Sequence, residues 1–403
     1  MSSPSDVQKR SPVVAVLTAC VYAVTDPDAE SVLRAAIGRV RDWDGLTASA
    51  IRHGMVGLLH RRVRTTCPEA VPSAVLELWR SHCIGLARRS LRMQRSLISV
   101  MDAFAASGVH ALVFKGAAIS EQIYGDSTLR HFSDLDVVVH PQSVRLARDV
   151  AHGLGYEDVA SVWLTAEGCP EAASGEQEIE LQHPVSRIWL EVHWRIGPRF
   201  EEHSLRAADL FDRADEVELL GRRIQCLGCW DVLLSLVMHA GAHEWLRIED
   251  VAALNTALNG LNEAEAQELE AFALANGCLR RLRIGVALAS SIAPSKTHTD
   301  LQVRALSDSR AVRLARAARG RLLDSLGNTD PAEEVGPMRR AKSALWEARS
   351  LDSRLEAAHY VLRRLFGPTV YDYDGPRESA RGLAGRLATQ VRRQRRLWRR
   401  DRT

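Results

Sequence analysis

The chain has 403 residues, 46% hydrophobic and 26% charged, which exceeds one typical domain and is enough to bury more than one core. Its formal net charge of +3 is small for that length, so the composition as a whole implies neither a nucleic-acid surface nor a membrane surface. The seven cysteines, an odd number scattered mostly through predicted helices, fit a reducing cytoplasm rather than a disulfide framework.

The start, MSSPSDVQKRSP, is polar and without periodicity, so residues 1–12 are expected to be disordered. The first apolar run, VVAVLTACVYAV, is too short to span a bilayer and is followed by acidic residues with no small-residue cleavage pattern, which predicts no secretory leader. Residues 13–108 then read as a helical region. Leu33, Ile37 and Val40, Leu46, Ile51 and Met55, and Val75, Leu78 and Trp79 recur at helical spacings, with Pro68 and Pro72 as punctuation. Its last helix, from about residue 74 to 106, carries Arg88, Arg89, Arg92 and Arg95, a basic face that suits either solvent or an anionic ligand.

Residues 109–225 alternate strands and helices, and the stretch VFKGAAISEQIYGDSTLRHFSDLDVVVH (113–140) concentrates chemistry-bearing residues. Ala111 to Phe114 reads as a short buried strand that passes through Lys115-Gly116 into a helix. A glycine there lets backbone approach a ligand, and the helix N-terminus offers free N–H groups to an anion. Lys115 is one of only four lysines, so its position is not background composition. In SDLDVVVH, strand alternation puts Leu135, Val137 and Val139 on one face and Asp134 and Asp136 on the other. The two carboxylates then sit about 7 Å apart, a spacing that can bracket divalent cations. The alternative is that Asp134 ends a loop and Asp136 caps the strand in solvent.

A helix is predicted from Pro141 to Gly153, with proline in its first turn. After the polar loop TAEGCPEAASGEQ, EIELQHP and RIWLEVHW can pair as a hairpin. Alternation in RIWLEVHWRIG leaves Trp189, Glu191, His193 and Arg195 on one face. If this strand lies beside the DxD strand, Glu191 completes an oxygen-rich site of three carboxylates, the kind that hard cations prefer. An exposed face with ordinary charges is the alternative.

From Gly228 onward the pattern is helical, so residues 226–403 are expected to form a C-terminal helical region. WDVLLSLVMHAGAHEWLRIEDVAALNTAL places His239 and His243 four apart on one helix face, with Arg247 and Asp250 further along it. No glutamate stands between the histidines as in a zincin, so they read as pocket or structural residues. Cys226 and Cys229 have knuckle spacing but no second ligand pair. The tail VRRQRRLWRRDRT, with seven arginines, is either a solvated end or a patch for RNA or another anionic surface.

Taken together, Lys115-Gly116, Arg130-x-x-x-Asp134-x-Asp136 and a later Glu191 resemble the DNA polymerase beta superfamily of nucleotidyltransferases. More narrowly, DWDGLTASAIRHGMVGLLHRRV, LEVHW and MHAGAHEWLRIEDVAAL resemble a bacterial family of uncharacterised nucleotidyltransferases, often found beside natural-product biosynthesis genes. The likeness covers roughly residues 30 to 260. The superfamily usually carries Gly-Ser or Gly-Gly where this chain has Lys115-Gly116, a departure that the narrower family shares.

This resemblance implies an α+β fold, a nucleotidyltransferase-like mixed sheet with helices, flanked by N-terminal and C-terminal helical regions. It further implies a cytoplasmic, Mg²⁺-dependent enzyme (Mn²⁺ as substitute) that moves a nucleoside monophosphate from a nucleoside triphosphate to a hydroxyl of a small-molecule or peptide acceptor. Asp134, Asp136 and Glu191 would be the catalytic and metal-binding residues. Lys115, Gly116, Arg130 and Ser133 would meet the nucleotide, and His193, Arg195, His239, His243 and Asp250 would be pocket candidates. An RNA-directed transferase and a non-catalytic nucleotide-binding module are the rival readings.

Overall fold

The computed structural model describes residues 11–22, 28–159, 177–197, 205–293, 299–327 and 337–366. In chain order, helices α1 (Pro12–Ala19), α2 (Ala29–Ile37), α3 (Trp43–Arg52), α4 (Val56–Thr66) and the long α5 (Ser73–Ala106) come first. Next are β1 (Ala111–Val113), α6 (Ala117–Tyr124), β2 (Asp134–Val139), α7 (Val144–Gly153), β3 (Glu157–Asp158), β4 (Glu178–Gln182), β5 (Trp189–His193), β6 (Arg195–Ile196) and β7 (Leu205–Arg206). These lead to α8 (Ala207–Phe211), β8 (Asp215–Leu219) and β9 (Arg222–Cys226). The described remainder is helical: α9 (Cys229–Ala242), α10 (Ile248–Asn259), α11 (Glu263–Ala275), α12 (Leu279–Ile292), α13 (Thr299–Ser307), α14 (Ser309–Gly327), α15 (Pro337–Ser350) and α16 (Arg354–Phe366). No described helix is long and apolar enough to cross a membrane. The expected N-terminal disorder, the TAEGCPEAASGEQ loop up to residue 176 and the arginine-rich tail lie outside the described residues.

The chain divides into two compact units, and neither is a continuous segment. One comprises Met1–Gln94, Gly116–Phe132 and Val232–Pro331, and is helical where described. Its helices start and stop for local reasons. Asp42 accepts a hydrogen bond from the Gly45 amide at the head of α3, and Asn262 and Glu265 form a reciprocal capping box on α11. Gly125 ends α6 in the left-handed conformation that glycine adopts without cost.

The sequence pattern runs His239, His243, Arg247 and Asp250 along one helix, but the structure breaks that helix after Ala242. Glu244 and Trp245 both take positive φ, at 56° and 58°, and α10 starts only at Ile248. The break is fixed by packing. The Trp245 indole is 1% exposed, and a Cβ on Gly285 of α12 would lie 2.8 Å from it and 2.6 Å from Leu254.

The other unit comprises Arg95–Lys115, Ser133–Asp231 and Ala332–Thr403 and holds a seven-stranded mixed sheet in the order β3-β4-β5-β2-β1-β9-β8. β1 and β2 are antiparallel, β2 and β5 parallel, and β4 and β5 the expected antiparallel hairpin. One face is made of Leu135, Val137, Val139, Ile179, Leu181, Leu190 and Val192, all buried, with Val144, Ala147 and Ala151 of α7 among the same unit's core residues. That apolar face fixes the register, because a one-residue slip would turn every one of these side chains to the other side. The polar alternates are thereby forced together on the opposite face.

Gly285→Ala should overpack the Trp245 site and lower the stability of the helical unit by about 1–3 kcal/mol. A denaturant melt followed by tryptophan fluorescence checks it, and an unchanged midpoint would show that the break after α9 is not held by this contact.

Candidate active site

The register of three neighbouring strands builds the site. Across β2 and β5, Asp134 pairs with Trp189, Asp136 with Glu191 and Val138 with His193. Across β4 and β5, Glu178 pairs with His193 and Glu180 with Glu191. Paired residues share a face, so five carboxylates and one imidazole crowd the side of the sheet opposite the apolar core. The expectation that the Glu191 strand adjoins the DxD strand therefore describes the observed sheet.

Two basic groups meet this negative charge. Lys115, at the end of β1, donates from Nζ to Asp136 Oδ1 at 2.6 Å and lies 4.0 Å from Glu191 Oε2. His193 Nε2 stands 3.3 Å from both Asp136 Oδ1 and Glu191 Oε2, while its Nδ1 lies 3.1 Å from Glu178 Oε2. The imidazole is buried and stacked edge-on against Phe114, ring centres 4.7 Å apart.

Burial alone would drive all these groups toward neutrality. Burial works against the charge on His193, yet its close contacts with Asp136, Glu178 and Glu191 push its pKa up to about 10. Burial likewise opposes the Lys115 ammonium, but Asp136 and Glu191 outweigh it and raise its pKa. For Asp136, burial is overcome by Lys115 and His193, which hold the carboxyl well below its usual range. Burial raises Glu191, partly offset by His193, and burial together with Asp136 raises Asp134.

Asp136, Glu191 and His193 each offer one ligand atom, all within 4.8 Å of one another, the only such group of three among the described residues. Asp136 Oδ2 is buried with no hydrogen-bond partner. A buried carboxylate oxygen that no donor satisfies is costly unless a cation meets it, so the donor set fits a divalent ion. The compact trio differs from the expected three carboxylates. His193, expected as a pocket residue, lies within this trio, and Asp134 is half-buried one position further along the same face.

The other expected residues are distributed as follows. Gly116 has φ 60° and ψ −127°, a conformation open to glycine, and a Cβ there would touch the Phe132 ring at 3.0 Å. Ser133 is exposed immediately before β2. Arg195 leaves the main sheet and pairs with Arg206 in the separate β6–β7 ribbon. His239 and His243 have ring centres 4.7 Å apart, and neither they nor Cys226 and Cys229 belong to the converging trio.

Arg130 sits in the helical unit, where Nε donates to Glu249 at 3.0 Å and one terminal nitrogen to Asp250 at 3.2 Å. Both acids lie on α10, so Asp250 holds a facing arginine rather than Arg247. The loop bearing Arg130 is fastened at several more points. Arg89 donates to the Phe132 carbonyl, Ser90 to the Ser127 carbonyl, and Ser120 Oγ both donates to the Asp126 carbonyl and accepts from the Arg130 amide. Arginines of the long helix thus have one member used internally. Sequence reasoning missed Glu178 and Glu249. The alternation in EIELQ marks Glu178 as a polar-face residue, but only register shows that it backs His193.

A family model described as "Uncharacterised nucleotidyltransferase" matches residues 39–294. The chain belongs to this family. It is a nucleotidyltransferase, and residues 39–294 include Lys115, Asp134, Asp136, Glu191 and His193. Two solved structures are similar over about half of the chain. The antibiotic-resistance factor ANT(2'')-Ia, determined in solution, is 13% identical, with 47% of this chain and 93% of that one covered and a TM-score of 0.33. An antigenic nucleotidyltransferase-like protein from Paracoccidioides brasiliensis is 14% identical, with 50% and 93% covered and a TM-score of 0.29. No curated protein matches the chain.

Replacing Arg130 by methionine would leave Asp250 buried without this counter-charge and Glu249 with Arg247 alone, 3.1 Å away, and should cost about 3–5 kcal/mol of stability. Chemical denaturation measures it; a loss below about 1 kcal/mol would mean that the arginine is not a structural anchor of the loop.

Proposed function

We propose that the protein transfers a nucleoside monophosphate from a nucleoside triphosphate to a hydroxyl or similar group of a small-molecule or peptide acceptor, releasing pyrophosphate. The observation that carries this reading is the in-register pairing of Asp136 with Glu191 on adjacent parallel strands, beside Asp134 on the same face. Such an oxygen-rich face matches what phosphoryl chemistry with a hard cation requires.

The acceptor oxygen would attack the α-phosphorus as the bond between that phosphorus and the bridging oxygen of pyrophosphate breaks in line. Glu191, whose affinity for a proton is raised by burial, is placed to take the acceptor proton. Asp134 and Asp136 would hold Mg²⁺, which supplies charge neutralisation at the phosphates when bound. Lys115 is half-buried yet stays cationic beside Asp136, so it can turn its charge to a phosphate oxygen entering the site. The Gly116 amide, at the N-terminus of α6, and Ser133 would complete the phosphate contacts. An acceptor of natural-product type fits the family resemblance, and the neighbouring genes are a direct check on it.

Asp136→Asn should abolish the rise in melting temperature that Mg²⁺ with a triphosphate gives the wild type, because only the folded state binds both. An equal rise in wild type and variant would remove Asp136 from the metal assignment.

Glu191→Gln should slow pyrophosphate release by about 10² or more, with triphosphate binding retained. The rate is measured with each of the four triphosphates, against slow hydrolysis by water where no acceptor turns over. Wild-type turnover in this variant would pass the role of third carboxylate to Glu180, its cross-strand neighbour.

A further inference from the structure

The charge at the site is usually sought in its carboxylates, but the trio nearest to one another includes a nitrogen. His193 Nε2 and the oxygens of Asp136 and Glu191 converge within 4.8 Å, and the buried Asp136 Oδ2 has no donor. Behind the ring, Glu178 Oε2 lies 3.1 Å from Nδ1, from the position directly across β4 and β5. Phe114 packs edge-on against the ring, and Nε2 is the nitrogen turned to Asp136 and Glu191. A carboxylate behind an imidazole whose far nitrogen faces acids is the arrangement that sets a metal-binding histidine in one tautomer and one orientation.

We infer that His193 binds the catalytic cation through Nε2, with Glu178 as the positioning residue that holds it, so that the centre has a mixed nitrogen and oxygen ligand set and prefers Mn²⁺ to Mg²⁺. The inference rests on the metal-dependent reading above. Imidazole is a good ligand for transition metals and a poor one for Mg²⁺, which favours oxygen and water, whereas Mn²⁺ accepts both. On binding, the Nε2 proton leaves to solvent, the Nδ1 proton stays toward Glu178, and the Lys115 ammonium gives up Asp136 Oδ1. Net charge at the trio is then carried by one divalent ion in place of two monovalent cations. Glu180 and Asp134 flank the trio on the same face, and neither is among its three converging ligands.

The test uses the full chain with Mn²⁺ alone and reads the nitrogen directly. Pulsed electron paramagnetic resonance of the bound ion should show ¹⁴N modulation from one imidazole, and Mg²⁺ should compete at least about 10-fold more weakly than Mn²⁺. Glu178→Gln should weaken Mn²⁺ binding by about 10- to 100-fold, the range for loss of an orienting partner, with the melting curve of the ion-free protein little changed. His193→Gln should remove the ¹⁴N signal; if that variant does not fold, the wild-type spectrum and Glu178→Gln still decide. Mn²⁺ bound without ¹⁴N modulation, at an affinity indifferent to Glu178→Gln, would overturn the inference and leave a metal-dependent, all-oxygen centre standing. A wild type that binds no Mn²⁺, with or without a non-hydrolysable triphosphate, would overturn both this inference and the metal-dependent reading.

Discussion

The structure of the sheet-bearing unit depends on one constraint: a sheet whose apolar face must be buried forces its polar alternates onto a single side. With Leu135, Val137, Leu190 and Val192 committed to the core, Asp136 and Glu191 have no other place to go. Like charges side by side in a partly buried setting repel, and stability alone would select against them. Lys115 and His193 make the arrangement tolerable by standing at 2.6 Å and 3.3 Å from Asp136. The sheet therefore stores negative charge that two side-chain cations hold in check.

The second unit's ion pairs answer a different need. Arg130, Glu249 and Asp250 neutralise one another away from water, and their bonds tie the segment after α6 to α10. This segment is thereby held to the helical unit at both its side chains and its backbone. An arginine four residues before the first aspartate thus has two buried acids as partners. The same spacing in sequence is equally compatible with a phosphate ligand, because an arginine's partner is decided by tertiary structure.

Much of the site was legible in the sequence. Period-two alternation in SDLDVVVH and RIWLEVHW assigned the polar faces correctly, the adjacent runs EIELQHP and RIWLEVHW marked the hairpin, and Lys115-Gly116 marked the strand-to-helix junction. What alternation cannot supply is register and neighbour order. Whether His193 meets Asp136 or solvent depends on β2 pairing with β5 in parallel across some fifty intervening residues, a choice made by the whole core. The continuous helix expected through His243 failed for a related reason. Gly241 aside, the residues there have adequate helix propensity, and the break comes with Trp245 seated against Gly285, forty positions away.

The position of β1 in the sheet has a consequence for synthesis. β1 is a short interior strand whose two neighbours are β2, which follows closely, and β9, which ends at Cys226. As the chain leaves the ribosome, β1 and β2 can pair at once, but the other edge of β1 waits for more than a hundred further residues. An apolar strand with an open edge is a template for pairing with a second chain. The interval between the emergence of Val113 and of Cys226 is therefore the window in which a nascent molecule of this protein is most in need of a chaperone.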